Sequence, residues 1–148
     1  MKLNLENLAP ISVSVYTRLE HFKNCIDSLA ANELAKYSVL YVFSDWAKSG
    51  DEEAVLKVRN YAKSIKGFKK VNLIFQKKNN YKKNIKDLIQ KAFEINGKNI
   101  ILEDDIIVAK QFLRFMNEGL NKYEYHPKVY SVCGYFHPIN HNIKSDYL

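Results

Sequence analysis

The chain has 148 residues, 47% of them apolar and 26% charged, with a formal net charge of +7. That size fits one domain over residues 1–148 with room for a buried core, and the balance excludes an intrinsically disordered chain. No apolar run reaches the ~20 residues needed to span a bilayer, and the start (Met1 to Glu6) has no apolar stretch behind it, so no signal peptide is expected.

Ile11 to Tyr16 alternates apolar and polar residues and is rich in β-branched side chains, which predicts a strand. Thr17 and Glu20 have the spacing of a capping box, and Leu19, Phe22, Cys25, Ile26 and Leu29 follow at helical spacing. Val39 to Phe43 is a continuous apolar run, as suits a strand covered on both faces. Ser49 and Glu52 repeat the capping-box spacing before a helix whose inner stripe is Val55, Val58, Ala62 and Ile65. Val71 to Phe75 predicts a third strand, and Ile85, Leu88, Ile89, Ala92 and Phe93 mark a third helix. Asn99 to Leu102 predicts a fourth strand that runs into Glu103-Asp104-Asp105. Phe112, Phe115, Met116, Leu120 and Tyr123 mark a fourth helix, and Val129 to Gly134 predicts a fifth strand. Strands alternating with helices predict an α/β fold: a mostly parallel sheet with helices on both faces and right-handed crossovers.

Cys25 and Cys133 lie inside apolar patterns without metal spacing, which predicts buried free thiols in a reducing cytoplasm. Charge is uneven along the chain. Residues 57–91 hold twelve Lys or Arg and one acid, Asp87, so that segment carries +11 and the remainder −4. Three readings stay open: a solvated face, attraction to phosphates on a nucleotide or on an anionic membrane surface, and nucleic acid. The last has least support, because no helix-turn-helix, RNA-binding aromatic strand or zinc ligand set accompanies the basic stretch.

In parallel sheets ligands bind beyond the carboxyl ends of the strands. Three polar clusters fall at such ends: Tyr16-Thr17-Arg18, Ser44-Asp45 and Glu103-Asp104-Asp105. The topology gathers them on one rim. Three adjacent carboxylates after a buried strand are costly without a compensating cation, and all-oxygen ligation suits Mg²⁺ or Mn²⁺. The plainer alternative is acids favoured by the dipole of the helix that follows. The five glycines supply no Gly-rich dinucleotide loop and no phosphate-cradling Gly-Lys-Ser/Thr loop. A diphosphate on this sheet would need other charge neutralisation, such as a metal on Asp105 helped by Arg18 or nearby lysines.

With its flanks, the acidic triplet resembles a family. Ile100-Ile-Leu-Glu-Asp-Asp-Ile-Ile-Val-Ala-Lys-Gln-Phe-Leu-Arg-Phe-Met116, Val129-Tyr-Ser-Val-Cys-Gly-Tyr-Phe-His-Pro138, the Pro10-to-Arg18 segment and Val42-Phe-Ser-Asp45 are similar to the metal-motif and donor-binding regions of GT-A glycosyltransferases. The likeness is closest to family 2-like bacterial relatives of the N-acetylglucosaminyltransferase I type. It runs from about Ala9 to Pro138 and implies a Rossmann-like nucleotide-sugar-binding half.

The resemblance also implies roles. Asp105 would be the metal ligand, for Mn²⁺ or Mg²⁺. Glu103 and Asp104 would contact the ribose or sugar of a nucleoside-diphosphate sugar donor. Asp45 would accept a hydrogen bond from the base, Arg18 would sit near the diphosphate or base, and Tyr16 would line the base pocket. Asn79 or Asn80, with Lys83 and Asn84, stands where the family has an Asn-Leu-Gly segment, but without the glycine. His137 and His141 read as loop residues, and His21 and His126 as surface residues.

Domains of this family are usually longer, and their later half supplies the acceptor site and, in inverting members, a carboxylate base. No base is assigned in this chain, Asp146 included, so catalytic residues stay unassigned. The expectation is a donor-binding part lacking its acceptor half, with an exposed sheet edge that favours self-association. The acceptor, a carbohydrate or glycolipid, is not specified by the residues; peripheral contact with the inner face of a membrane is compatible with the basic segment, and nucleic acid is not expected as a partner. Two rival readings stand beside transfer: a catalytically incomplete donor-binding or interaction module, and a binder of anionic polymers or nucleic acid through residues 57–91.

Overall fold

The computed structural model describes residues 3–135, leaving aside the side chains of Ala92, Ile95 and Asn96. Strands and helices alternate: β1 (Ile11–Val15), α1 (Leu19–Ala30), β2 (Val39–Ser44), α2 (Glu52–Ser64), β3 (Lys70–Phe75), α3 (Tyr81–Asn96), β4 (Ile100–Glu103) and α4 (Phe112–Tyr123). A short 3-10 turn, Ala35–Tyr37, precedes β2. All four strands are parallel and form one sheet in the order β3-β2-β1-β4. The fold is therefore α/β, as the alternation of patterns predicts.

The strand order carries the functional consequence. The chain winds from β1 through β2 to β3, then returns past β1 to lay β4 on its other side. Right-handed crossovers put α1 and α2 on one face and α3 on the other. Packing agrees. Ile11, Val13, Leu40, Val42, Ile100 and Leu102 share a core with Phe22 and Leu29 of α1, Val58 and Ala62 of α2 and Leu113 of α4. Tyr41 and Phe43 face the other way and pack with Leu88 of α3. Each fully buried Leu, Val or Phe here contributes about 1.5–3 kcal/mol. The reversal of winding opens a crevice between β1 and β4 at their carboxyl ends.

Two buried asparagines dock α4. Asn117 accepts from the Ala9 amide (2.8 Å) and donates to the Leu113 carbonyl (2.8 Å), fixing α4 to the approach of β1. Asn32, just past α1, accepts from the Leu113 amide (3.0 Å) and donates to the carbonyls of Ser28 (3.0 Å) and Ala109 (3.2 Å). No side chain of its own caps α4. Asn32 therefore serves as a cap supplied from a distant part of the chain, satisfying an amide that a helix start leaves unpaired.

Several sequence expectations are corrected. Neither capping box forms. Glu20 pairs with Lys23 (2.7 Å) instead of turning back to Thr17, and α1 begins after Arg18 with no side-chain cap. Glu52 accepts from the Gly50 amide (2.8 Å), and the residue before α2 is Asp51, which bonds elsewhere. Val129 to Gly134 is not a strand and pairs with no other strand. Val132 packs on α4 instead: it closes over Gly119, where an added Cβ would lie 3.0 Å from its Cγ1. Gly134 sits so close to Phe112 that an added Cβ would overlap its ring. Tyr130 faces solvent fully. β-propensity expresses itself only where a pleated, half-buried surface receives it. Cys133 is exposed rather than buried, while Cys25 is buried; both are free thiols. In α3 the inward row is Asn84 and Leu88, and Ile89 and Phe93 are exposed. In α4 Leu113 is buried and Phe115 exposed. Among the described residues β4 is a sheet edge. Among the described residues no helix is long and apolar enough to cross a membrane.

Replacing Asn32 by alanine strands the Leu113 amide in a dry setting. Asn32→Ala is expected to cost about 1–3 kcal/mol in urea denaturation, whereas the exposed Asn60→Ala stays within about 0.5 kcal/mol. Equal costs would refute the capping role.

Candidate functional site at the strand ends

A cleft of about 390 Å³ opens at the carboxyl ends of β1, β2 and β4. Its walls include Ser14, Tyr16, Thr17, Arg18, Asp45, Asn79, Asn84, Glu103 and Asp104. Residues spread over 90 positions of sequence thus meet at one rim, because parallel strands all end on the same side.

The β1–β4 wall is electrostatic. Asp104 follows β4 with its side chain only 4% exposed, and Arg18, about half exposed, meets it with two nitrogens: Nη2 at Oδ1 and Nε at Oδ2 (3.4 Å). Nη1 of the same guanidinium donates to Asp105 Oδ2 at 2.9 Å. A forked cation suits this task, since one rigid plane bonds two carboxylates together. The Asp104 hydrogen bond is the largest influence on Arg18 and raises its pKa above the ordinary value, against the opposing effect of burial. Asp105 stays partly exposed, and Glu103 carries no partner for its carboxylate among the described residues. Beneath the acids, Cys25 donates from Sγ to the Glu103 carbonyl (3.7 Å). Burial, reinforced by the charges of Asp104 and Asp105, pushes its thiol up to about 12. Cys25 is therefore an inert filler at neutral pH and not a nucleophile.

The β2 wall is built from hydrogen bonds that Asp45 makes within the protein. Oδ1 accepts from the amides of Trp46 (2.8 Å) and Asn80 (3.0 Å), and Oδ2 from Asn80 N (3.1 Å) and Asn79 Nδ2 (3.3 Å). Asn79 also donates to the Trp46 carbonyl at 2.7 Å. Asp45, 4% exposed, thus staples the end of β2 to the β3–α3 connection. A base-binding role would have to share these oxygens. Asn80 caps α3 by accepting from the Lys83 amide (3.0 Å), and Lys83 pairs with Asp87. Asn84, 1% exposed, donates to Ser14 Oγ (3.3 Å), and its Oδ1 has no partner among the described residues.

Tyr16 lines the cleft and closes its near rim. Its hydroxyl donates to Asp51 Oδ2 (2.7 Å) and accepts from the Lys48 amide (2.8 Å). Burial raises the phenol's pKa, the Lys48 amide pulls it back, and the Asp51 and Asp45 carboxylates push it up again, so the hydroxyl stays a donor. Pairing of Tyr16 with Asp51 spans 35 residues and has no local signature, which is why the sequence does not point to Asp51 or Lys48. His21 and His126 are exposed, as expected. His137, Pro138, His141 and Asp146 lie outside the described residues.

Three adjacent carboxylates call for a cation beside them, and Arg18 supplies one. Among the described residues no three His, Cys, Asp or Glu side chains stand together as a metal cage. A Mg²⁺-like ion needs only one or two protein carboxylates when substrate phosphates and water complete its shell. Glu103, unpaired, and Asp105, bonded through a single oxygen, fit that limited demand. Comparison with models of known families gives no match, and comparison with curated proteins gives none.

Arg18 and Asp104 should be energetically coupled, because removing either leaves the other uncompensated. A double-mutant cycle with Arg18→Met and Asp104→Asn is expected to give a coupling of about 1–3 kcal/mol. The exposed Lys23–Glu20 pair should give below about 0.5 kcal/mol. A coupling at Arg18–Asp104 no larger than that at Lys23–Glu20 would contradict the wall's electrostatic origin.

Proposed function

We propose that this chain is the donor-binding domain of a GT-A-type glycosyltransferase, holding a nucleoside-diphosphate sugar in the cleft at the strand ends for transfer to a carbohydrate or glycolipid acceptor. The observation that carries the reading is the convergence of Tyr16, Arg18, Asp45, Glu103 and Asp104 around one crevice at the point where the winding reverses. That crevice is where parallel sheets bind nucleotides, and its volume falls in the ~300–1,000 Å³ range of small-molecule sites. The resemblance of the triplet and its flanks to glycosyltransferases points the same way.

In this reading Asp105 and Glu103 would hold Mn²⁺ or Mg²⁺, which supplies Lewis-acid stabilisation of negative charge on a departing diphosphate. Arg18 keeps Asp104 and Asp105 from repelling each other and lends positive charge to the same wall. Tyr16 and Asp45 shape the nucleoside end through the contacts that fix the β2 rim. The free thiols of Cys25 and Cys133 fit a reducing, cytoplasmic setting.

A second reading, donor binding without transfer, draws on the spending of two of the three carboxylates lining the cleft, Asp45 and Asp104, on internal bonds. Slow metal-dependent hydrolysis of a bound donor would separate transfer chemistry from binding alone.

Calorimetric titration with uridine and guanosine diphosphate sugars tests the main reading. One of them is expected to bind at least about tenfold tighter with Mn²⁺ present, a difference of about 1.4 kcal/mol, and Asp105→Ala should erase that gain. Absence of any donor binding, or a metal effect that survives Asp105→Ala, would overturn it. Steeply salt-dependent binding of oligonucleotides, indifferent to Asp105, would instead favour the basic segment 57–91 as the working surface.

A further inference from the structure

Arg59 is a buried cation that the cleft does not touch. It sits on α2, 8% exposed, and none of the cleft walls includes it. Its Nε donates to Ser44 Oγ (3.1 Å), and its Nη2 lies within bonding distance of three carbonyls: Ser44 (3.1 Å), Asp45 (3.2 Å) and Gln76 (2.8 Å). The guanidinium plane is packed by two rings, Trp46 at 4.7 Å and Phe75 at 4.8 Å from its central carbon. No carboxylate pairs with it among the described residues, although the charge of Asp45 is felt there. Burial alone would disfavour such a charge, so its retention needs an explanation.

Backbone geometry supplies one. Ser44 ends β2 and Gln76 follows β3, and the last rung between them is the Gln76 amide on the Ser44 carbonyl (3.0 Å). Beyond that rung the Asp45 and Gln76 carbonyls have left the ladder as the two strands part, and besides Arg59 the Asp45 carbonyl has only the Ser44 hydroxyl, at 3.3 Å. Unpaired buried carbonyls are costly. Arg59 gathers them on one nitrogen and stacks Trp46, the residue after Asp45, against its face. Asp45 in turn holds the amides of Trp46 and Asn80. A chain of contacts therefore runs from α2 through Arg59 to the β2 wall of the cleft.

We propose that Arg59 is a positioning residue: it locks the diverging ends of β2 and β3, holding Trp46 behind them, so that Asp45 and Asn79 form a preset wall for the ligand. Its effect on a nucleotide-sugar donor rests on the function proposed above, whereas its effect on the wall does not. Lysine cannot replace it, because an ammonium has neither the planar fork nor the flat face for ring stacking. Hydrophobic periodicity gives no sign of this role, since Arg59 stands next to Val58 and reads as a charged residue at the margin of the apolar stripe.

The test compares the full chain with Arg59→Lys by amide hydrogen exchange, by emission of Trp46, the single tryptophan of the sequence, and by donor titration. The expected result is exchange at the Trp46 and Asn80 amides at least about tenfold faster, with Val13 and Leu102 unchanged within about twofold, a red shift of Trp46 emission, and at least about tenfold weaker donor binding. Unchanged exchange at Trp46 and Asn80 would overturn the proposal. So would faster exchange with unaltered affinity in a parent chain that binds the donor. If the parent binds no donor, the functional reading falls while the exchange data still decide whether Arg59 sets the wall. Should Arg59→Lys fail to fold, nitrogen NMR of the parent decides instead: Arg59 is expected to show a slowly exchanging, ring-shifted Nε–H, and an Nε–H as labile as that of exposed Arg114 would refute the clamp.

Discussion

Asp104 brings a carboxylate into a nearly dry position at the end of β4, and the charge has to be met where it stands. Arg18 meets it from the end of β1, with bonds to Asp104 and to Asp105 at once. That pairing does more than neutralise. It ties together the carboxyl ends of the two strands between which the winding reverses, and so keeps the crevice in one shape. A carboxylate left unpaired in that position costs several kcal/mol, whereas an exposed pair contributes little, so the half-buried setting gives the interaction its weight.

The opposite wall is held by hydrogen bonds rather than by an ion pair. Asp45 accepts from three groups of its own chain, Tyr16 is held between Asp51 and Lys48, and Arg59 closes the carbonyls beneath. Most polar groups around the cleft are thus already satisfied inside the protein. A ligand entering it would meet walls with little freedom left to lose, which lowers the ordering cost of binding. Charge still available to a ligand lies on Glu103 and Lys48 in the cleft and on Asp105 beside it, next to Arg18. That distribution suits a diphosphate accompanied by a divalent ion better than a bare anion.

Periodicity carries much of the fold. Strands at Ile11–Val15 and Val39–Ser44 and the stripes Phe22-Cys25-Ile26-Leu29 and Val55-Val58-Ala62 were legible because a buried face imposes its spacing on the chain. The gathering of Tyr16, Arg18, Asp45 and Glu103 at one rim was legible for a topological reason: parallel strands end on a common side. What the pattern could not carry were tertiary choices. Thr17 and Ser49 had the right neighbours for capping boxes, yet Glu20 found Lys23 and Glu52 found Gly50. Val129 to Gly134 has the pattern of a strand, but Val132 packs on α4 while Tyr130 and Cys133 stay exposed. Asn32 capping α4, Asp51 anchoring Tyr16 and Arg59 bridging two strand ends each join positions far apart in sequence, and no local rule announces them.

The proposed donor site places a diphosphate and its cation between Arg18 and the acids that end β4. Paramagnetic broadening by Mn²⁺ in amide spectra, recorded with a uridine or guanosine diphosphate sugar present, tests it most directly. The account predicts loss of signal at Arg18, Glu103, Asp104 and Asp105, smaller shifts at Trp46 and Asn80, and no change along the exposed side of α2. Broadening spread over the lysines of residues 57–91, or none near Asp105, would contradict it.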